Sequence, residues 1–227
     1  MLAGVHPLLA VFQVQKQVVF DGLVTGLTYG VLGVGLILIW RSTRVINFAY
    51  GQMGVFGAAL LALFVINYSI NFYVSLLAVL VSGAVLGALI ELVVVRRLAK
   101  SPRIILFVAT LGVTELLLLF QGLLPTLKHY EPFPTPITST WHIGGIYVRG
   151  AHVMVLVILP LLVSALAFFL KRTKFGTAVR AAADNPDAAR TSAINIKTMS
   201  TVVWIIAGVL ATVTAVLVAP LDRKSVV

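Results

Sequence analysis

The chain of 227 residues is strongly apolar: hydrophobic residues make up 60% of it, charged residues only 11%, and its mean hydropathy is +1.07. In a soluble domain roughly a quarter of the residues are charged, so this composition excludes a soluble domain. It predicts a polytopic α-helical membrane protein. The net charge of +10 does not indicate a nucleic-acid-binding protein, because the 17 Lys and Arg cluster between apolar runs rather than on one basic face.

Six apolar runs are close to the roughly 20 residues that a helix needs to cross a bilayer. They predict one membrane domain over 1–227, with spans at about 18–40, 48–66, 72–95, 104–124, 152–170 and 201–219. Twelve of the 17 Lys and Arg fall on one side of these spans, in 41–47, 96–103 and 171–200. The positive-inside rule places those loops in the cytoplasm and the N-terminus outside.

Glycines recur at a spacing of four in the first span, at Gly22, Gly26 and Gly30, and again in the third span, at Gly83 and Gly87. Glycines at this spacing form a groove that lets another helix backbone approach closely. The pattern predicts tight helix packing, within the chain or against a partner subunit.

The second span begins with polar and small residues, among them Asn47, Tyr50 and Gln52. Such residues weaken a helix and leave backbone polar groups to satisfy, which is tolerated where the backbone is buried in protein or lines a water-filled path. Two interpretations stay open, a bundle-facing helix end near the interface and a discontinuous helix beside a substrate path.

Two acidic residues lie in or near the spans. Glu115 falls almost at the middle of the fourth span, where a carboxylate costs at least ~2.5 kcal/mol by insertion scales, so it must be neutral, paired or facing water. A role in function and a neutral side chain bonded to a neighbouring helix both stay open. Glu91 lies nearer the cytoplasmic end, just before Arg96 and Arg97, and we expect it to serve the interface or a local ion pair.

The outer segment 125–151 is rich in proline and aromatic residues, which suit the interfacial zone of a membrane. It predicts a connecting loop that lies on the membrane, with part of an outer mouth or a docking surface for an external protein as the alternative. No catalytic or metal-binding constellation is visible, and the chain has neither cysteine nor a GxxxxGK[ST] motif. We therefore expect no enzyme, and any driving energy must come from a gradient or a partner.

Residues 176–195, GTAVRAAADNPDAARTSAIN, form a charged segment that we call the alanine-rich segment. TAVRAAA favours a helix, and Asp184 or Asn185 can cap a second one that begins at Pro186 and runs to about 194. A helix lying on lipid would carry large apolar residues on one face, whereas alanines suit close docking into a protein groove. The sequence predicts two short helices with a sharp corner, and a solvated loop is the alternative.

Three stretches together carry a resemblance over nearly the whole chain: GLTYGVLGVGLILIWRSTRVINFAYGQMGVFGA, IELVVVRRLAKSPRIILFVATLGVTELL and FGTAVRAAADNPDAARTSAINIKTMSTVVWIIAGVLATVTAVL. The chain resembles the permease subunits of ABC importers of the branched-chain amino acid type, a family that includes urea and short-chain amide permeases. The resemblance implies an ATP-driven importer of branched-chain amino acids or a related small polar solute, in the bacterial cytoplasmic (inner) membrane. Implied partners are ABC ATPase subunits that bind ATP and Mg, a second permease (identical or homologous), an external solute-binding protein and membrane lipid. No cofactor is expected on this chain.

By the same resemblance, the alanine-rich segment docks into a cleft of the ATPase subunit, within the cytoplasmic stretch 171–200. Ala182 and Ala183 are expected to pack closely there, and the coupling candidates are Arg180, Asp184, Asp187, Ala188, Ala189 and Arg190. The candidates for lining the translocation path are Asn47, Tyr50, Gln52, Thr110, Thr114 and Glu115.

Two features depart from the family pattern. Family members usually continue with about two more spans after 201–219, so we expect that C-terminal spans are missing here. They also usually carry Gly where Ser192 or Ala193 stands. The alternative functions are a gradient-driven secondary transporter that uses Glu115 and a non-transporting membrane scaffold.

Overall fold

The computed structural model describes residues 15–125, 127, 132–192 and 194–221, and of residues 186, 187 and 190 it describes the backbone. Six helices in this part of the chain are long and apolar enough to cross a membrane, which confirms the predicted all-α polytopic bundle. They are α1 (Lys16–Thr43), α2 (Tyr50–Asn67), α3 (Phe72–Val95), α4 (Arg103–Gly122), α5 (Gly150–Arg172) and α8 (Ile196–Val218). Two short helices, α6 (Lys174–Asp184) and α7 (Pro186–Thr191), lie between α5 and α8.

Helix α8 lies at the centre of the bundle, with α1, α2 and α3 packed around it. Its Trp204 is fully buried, as are Val203, Ala207 and Ala211. Glycines let the neighbours approach its backbone: Gly54 of α2 lies against the Ala211 carbonyl. Helix backbones that approach this closely gain van der Waals contacts with each other, and such packing drives helix association in a membrane.

Helices α2 and α3 each end in a π-helical turn, at Leu63–Asn67 and at Ile90–Val95. Such a turn accommodates one extra residue, and single π turns inside α-helices are frequent at functional sites. Helix α4 lies at the periphery against α2 and the end of α3, with most of its side chains exposed. Helix α5 packs on α1 and carries α6 at its end.

A two-stranded hairpin, β1 (Thr140–Ile143) and β2 (Ile146–Arg149), lies in the segment expected to be a loop. Gly144 and Gly145 form its turn with φ values of 59° and 84°, which only glycine adopts at little cost. Gln17 at the start of α1 holds the hairpin, since its Oε1 accepts the Tyr147 N–H at 2.8 Å.

Candidate functional site

The alanine-rich segment folds as two capped helices. Thr173 Oγ1 accepts the Gly176 N–H at 2.9 Å and so caps the start of α6. Gly176 lies against the backbone of Phe169 and Leu170, where a Cβ atom has no room, so the turn from α5 into α6 requires glycine. Asn185 Oδ1 accepts the Ala188 N–H at 3.0 Å, which identifies Asn185 as the cap of α7. Helix α7 begins at Pro186, as the sequence indicated, and ends at Thr191, earlier than expected.

Helix α6 has two faces. Val179, Ala182 and Ala183 are buried on one face, while Arg180 and Asp184 are exposed on the other. The buried face packs against this chain's own helices: Val179 and Ala182 share a core cluster with residues of α1, α5 and α8.

In α7, Ala189 is only 3% exposed and belongs to the same cluster, whereas Ala188 is exposed. The packing of Ala182, Ala183 and Ala189 therefore attaches the segment to its own bundle. Arg180, Asp184 and Ala188 remain on the surface, where a partner can reach them. The side chains of Asp187 and Arg190 lie outside the described residues.

The end of α1 binds the end of α6 through two arginine side chains. Arg44 donates from Nη2 to the Ala183 carbonyl at 3.3 Å, and Arg41 pairs with Asp184 at 3.6 Å. Cations at a helix C-terminus are favourable, because the last carbonyls carry partial negative charge. Arg44 follows the last residue of α1 and has a left-handed backbone conformation. Its guanidinium lies 4.9 Å from the Trp40 ring centroid, a cation–π contact that helps to fix the side chain.

An ion pair at the end of α3, between the buried Glu91 and the partly exposed Arg96, is hydrogen-bonded to the start of α8. Glu91 is 2% exposed and accepts hydrogen bonds from Arg96, whose Nη2 also contacts Thr201 of α8. The local ion pair expected for Glu91 is thus present. Its link to α8 has no signal in the local sequence.

Three of the path candidates lie inside the chain. Asn47 is 1% exposed and its Oδ1 accepts the Ala49 N–H at 3.0 Å, just before α2. Tyr50 packs its ring against Gly35, and its buried hydroxyl has no hydrogen-bond partner in the described residues. Thr110 is fully buried and donates to the Phe107 carbonyl at 2.9 Å. Their role in a path stays a prediction.

The other three candidates are more accessible. Gln52 donates from Nε2 to Gln121 Oε1 at 2.8 Å, which ties α2 to the end of α4. Thr114 is half-buried and donates to the Thr110 carbonyl. Glu115 is exposed on α4, and its carboxylate makes no hydrogen bond or ion pair with the described residues. Its role also stays a prediction.

A cavity of about 920 Å³ opens at the end of the bundle opposite α6 and α7. Its walls come from residues 24–32 of α1, one side of α2 along most of its length, the end of α4 with the segment that follows it, and the second half of α8. Most lining side chains are aliphatic, and the polar groups among them are Thr25, Thr28, Tyr29, Gln121 and Thr214. Several distant segments form this cavity together, so no single stretch of sequence could indicate it.

The two glycine sets differ in their surroundings. Gly83 lies against Thr212 and the Gly208 carbonyl, and Gly87 lies against the Trp204 carbonyl, so both pack on α8. Around Gly22, Gly26 and Gly30 of α1, no described residue lies within 4 Å of the position that a Cβ atom would take. That face of α1 therefore has no close neighbour in the part of the chain that the structure describes.

Comparison with known proteins gives one matching family, described as branched-chain amino acid transport system / permease component, over residues 18–223. A probable branched-chain amino acid transport permease protein LivH of Methanocaldococcus jannaschii is 28% identical over 189 residues, 79% of this chain and 58% of that protein. The high-affinity branched-chain amino acid transport system permease proteins BraD of Pseudomonas aeruginosa and LivH of Escherichia coli are each 24% identical, over 88% of this chain and 69% of theirs. The chain thus spans less than two thirds of the first of these relatives. No solved structure matches it.

Proposed function

Since the chain belongs to the family of branched-chain amino acid transport permease components, we propose that it is the transmembrane permease subunit of an ATP-driven importer. It is a multi-pass membrane protein, and we place it in the cytoplasmic (inner) membrane. The proposed solute is a branched-chain amino acid or a related small polar solute, by analogy with what the relatives are named for.

Separate ATPase subunits would bind ATP and Mg, since the sequence carries no phosphate-binding loop of its own. Their docking site is the alanine-rich segment. The observation that carries this proposal is the division of that segment into two faces. One face is fixed to α1, α5 and α8 through Val179, Ala182 and Ala189, while Arg180 and Asp184 project outward. A short element that is rigidly attached on one side and exposed on the other suits a mechanical link.

The cavity at the opposite end supports a role in solute passage. Aliphatic walls with a few hydroxyl and amide groups are typical of small-molecule sites, in which the polar groups set orientation. An external solute-binding protein would deliver the solute at this end. Hydroxyl and amide groups allow weak, exchangeable contacts, and a path must release what it accepts.

A second permease, identical or homologous, would complete the path. The open glycine face of α1 and the exposed face of α4 lack neighbours among the described residues. Glu115 lies on α4 without a partner there, and a carboxylate at that depth is costly against lipid. We therefore propose that Glu115 faces protein or water in the assembled transporter. The same observation favours the rival function, a gradient-driven transporter that uses Glu115.

Reconstitution tests the proposed function. The permease, extended to the full length of its relatives, would be placed in proteoliposomes with its ATPase, second permease and binding protein, and uptake of labelled leucine measured. We expect uptake that requires internal ATP, fails with ADP and persists when an ionophore dissipates ion gradients. Uptake that needs a gradient and no ATP would support the secondary transporter. No uptake under either condition would support a scaffold.

A further inference from the structure

The π-helical turn Ile90–Val95 brings Arg96 directly beneath Glu91. In this turn the Arg96 N–H donates to the Glu91 carbonyl, five residues back, at 2.8 Å. The same residues pair through their side chains: Arg96 Nη2 lies 2.9 Å from Glu91 Oε2, and Arg96 Nε lies 3.2 Å from Glu91 Oε1. In a regular α-helix residue 96 would lie about 140° round the axis from Glu91, since five residues advance by five steps of about 100°.

Arg96 also binds the first two turns of α8. Its Nη2 donates to Thr201 Oγ1 at 2.6 Å and lies 3.0 Å from the Lys197 carbonyl. The Thr201 hydroxyl in turn lies 3.0 Å from Glu91 Oε2. The guanidinium thus contacts two helices at once, and we call Glu91, Arg96 and Thr201 the clasp.

The clasp lies where the alanine-rich segment passes into α8. Asn195, the last residue of that segment, caps α8 by accepting the Thr198 N–H at 3.3 Å. Beyond the clasp, α3 and α8 touch backbone to backbone, at Gly87 against Trp204 and at Gly83 against Gly208. A displacement of the start of α8 would therefore be passed to α3 first through the clasp and then through these glycine contacts.

An ion pair with a buried carboxylate, such as Glu91 with the partly exposed Arg96, is weak evidence for a role in stability alone. Its desolvation offsets much of the attraction, and apolar residues of similar volume often stabilise as well or better. Its directional hydrogen bonds do fix one geometry, which Arg achieves through its planar fork of donors. The chemistry of the clasp favours a role in holding α3 and α8 in register.

We infer, resting on the proposed function, that Arg96 is a positioning residue that makes α3 follow α8 when an ATPase displaces the alanine-rich segment. Arg96 touches neither solute nor ATP. Without it the segment still docks and ATP is still hydrolysed, but the movement of α8 is passed incompletely to the rest of the bundle.

Transport per ATP is the first readout. Arg96→Met is compared with Arg97→Met, because Arg97 is the adjacent exposed residue and has no ion pair or hydrogen bond with the described residues. Arg96→Lys and Thr201→Val keep Glu91 near a cation while weakening the contact with α8, so they avoid an unpaired buried carboxylate. We expect all three clasp variants to retain the ATPase and to lose about tenfold in solute moved per ATP, within the usual range of coupling effects. Arg97→Met keeps the wild-type ratio.

A distance measurement tests the clasp directly. These 227 residues contain no cysteine, so once any cysteine elsewhere in the complex is replaced, spin labels at Ala99→Cys and Thr198→Cys report the separation between the end of α3 and the start of α8. With wild-type Arg96 we expect one narrow distance distribution, unchanged between the ATP-free and ATP-trapped complexes. With Arg96→Met the distribution broadens and shifts on ATP trapping.

Two results would overturn the inference: wild-type transport per ATP in all three clasp variants, or a label distance in the wild-type background that shifts on ATP trapping as much as in Arg96→Met. If the wild-type complex neither hydrolyses ATP nor moves solute when ATP is supplied, the proposed function fails. The label distributions of the permease alone then decide the clasp, and equal widths for Arg96→Met and Arg97→Met refute it.

Discussion

Replacing Gly87 by alanine tests the packing that holds α3 on α8. A Cβ atom at this position would overlap the Trp204 carbonyl oxygen, lie 2.9 Å from the carbonyl carbon and touch Ile205 Cα at 3.4 Å. These are backbone atoms in the middle of a helix, so the strain can be relieved only by moving α3 away from α8. Overpacking of this kind costs about 1–3 kcal/mol.

An opposing term reduces the net effect. Alanine is better than glycine inside a helix by roughly 0.5–1 kcal/mol. Because the overlap is with backbone, the overpacking cost lies in the upper part of its range, at about 2–3 kcal/mol. We therefore expect Gly87→Ala to destabilise the protein by about 1–2 kcal/mol net. Gly26→Ala is the matched control, because it makes the same change in α1 where no described residue lies within 4 Å of the added atom. The control should gain stability or leave it unchanged.

Thermal unfolding in detergent measures the difference. For a chain of this size, 1 kcal/mol corresponds to roughly 2–4 °C in Tm, so Gly87→Ala should melt about 2–8 °C below the wild type. Gly26→Ala should melt at the wild-type temperature or up to about 4 °C above it. The reasoning is refuted if Gly87→Ala melts at or above the wild type, or if both variants lose the same amount.

Three further substitutions test other contacts. Asn185→Ala removes the acceptor of the Ala188 N–H. It should lower the stability of α7 by about 1 kcal/mol and so speed amide hydrogen exchange in that helix about fivefold. Unchanged exchange would contradict the capping role. Gln52→Leu breaks the hydrogen bond to Gln121. Because a hydrogen bond between membrane helices contributes only about 0.6 kcal/mol, Tm should stay within about 2 °C of the wild type. Uptake should fall if Gln52 lines the path, and wild-type uptake would exclude that role. Glu115→Gln should leave Tm unchanged, and uptake by this variant should still be driven by ATP. If the variant loses all uptake, and if an ionophore also stops uptake by the wild type, the gradient-driven transporter is favoured.

The sequence indicated features that depend on neighbouring residues. The six spans follow from runs of apolar side chains, and the corner between α6 and α7 follows from the local chemistry of Asn185 and Pro186. The pairing of Glu91 with Arg96 was also foreseeable, because both residues lie within two turns of the same helix. In each case the partners are close in the chain, so local rules suffice.

Features that depend on distant segments could not be foreseen in the same way. Gly22, Gly26 and Gly30 of α1 have the same spacing as Gly83 and Gly87 of α3. Among the described residues, the pair in α3 lies against another helix and the three in α1 do not. Alanine content alone does not tell which face of α6 is buried, and Ala182 and Ala183 proved to pack on the chain itself. The hairpin does have a local signal, because a Gly-Gly pair between two apolar segments favours a two-residue turn.

The docking of an ATPase on the alanine-rich segment is the central claim, and co-purification tests it most directly. The permease would be expressed at the full length of its relatives with its ATPase subunits, and Arg180→Glu compared with Lys100→Glu, an equal charge reversal at an exposed site outside the segment. A third variant replaces 184–190 by Gly-Ser. We expect wild type and Lys100→Glu to retain the ATPase, and Arg180→Glu and the Gly-Ser variant to lose it. Retention by both segment variants, or an equal loss in Lys100→Glu, would contradict it.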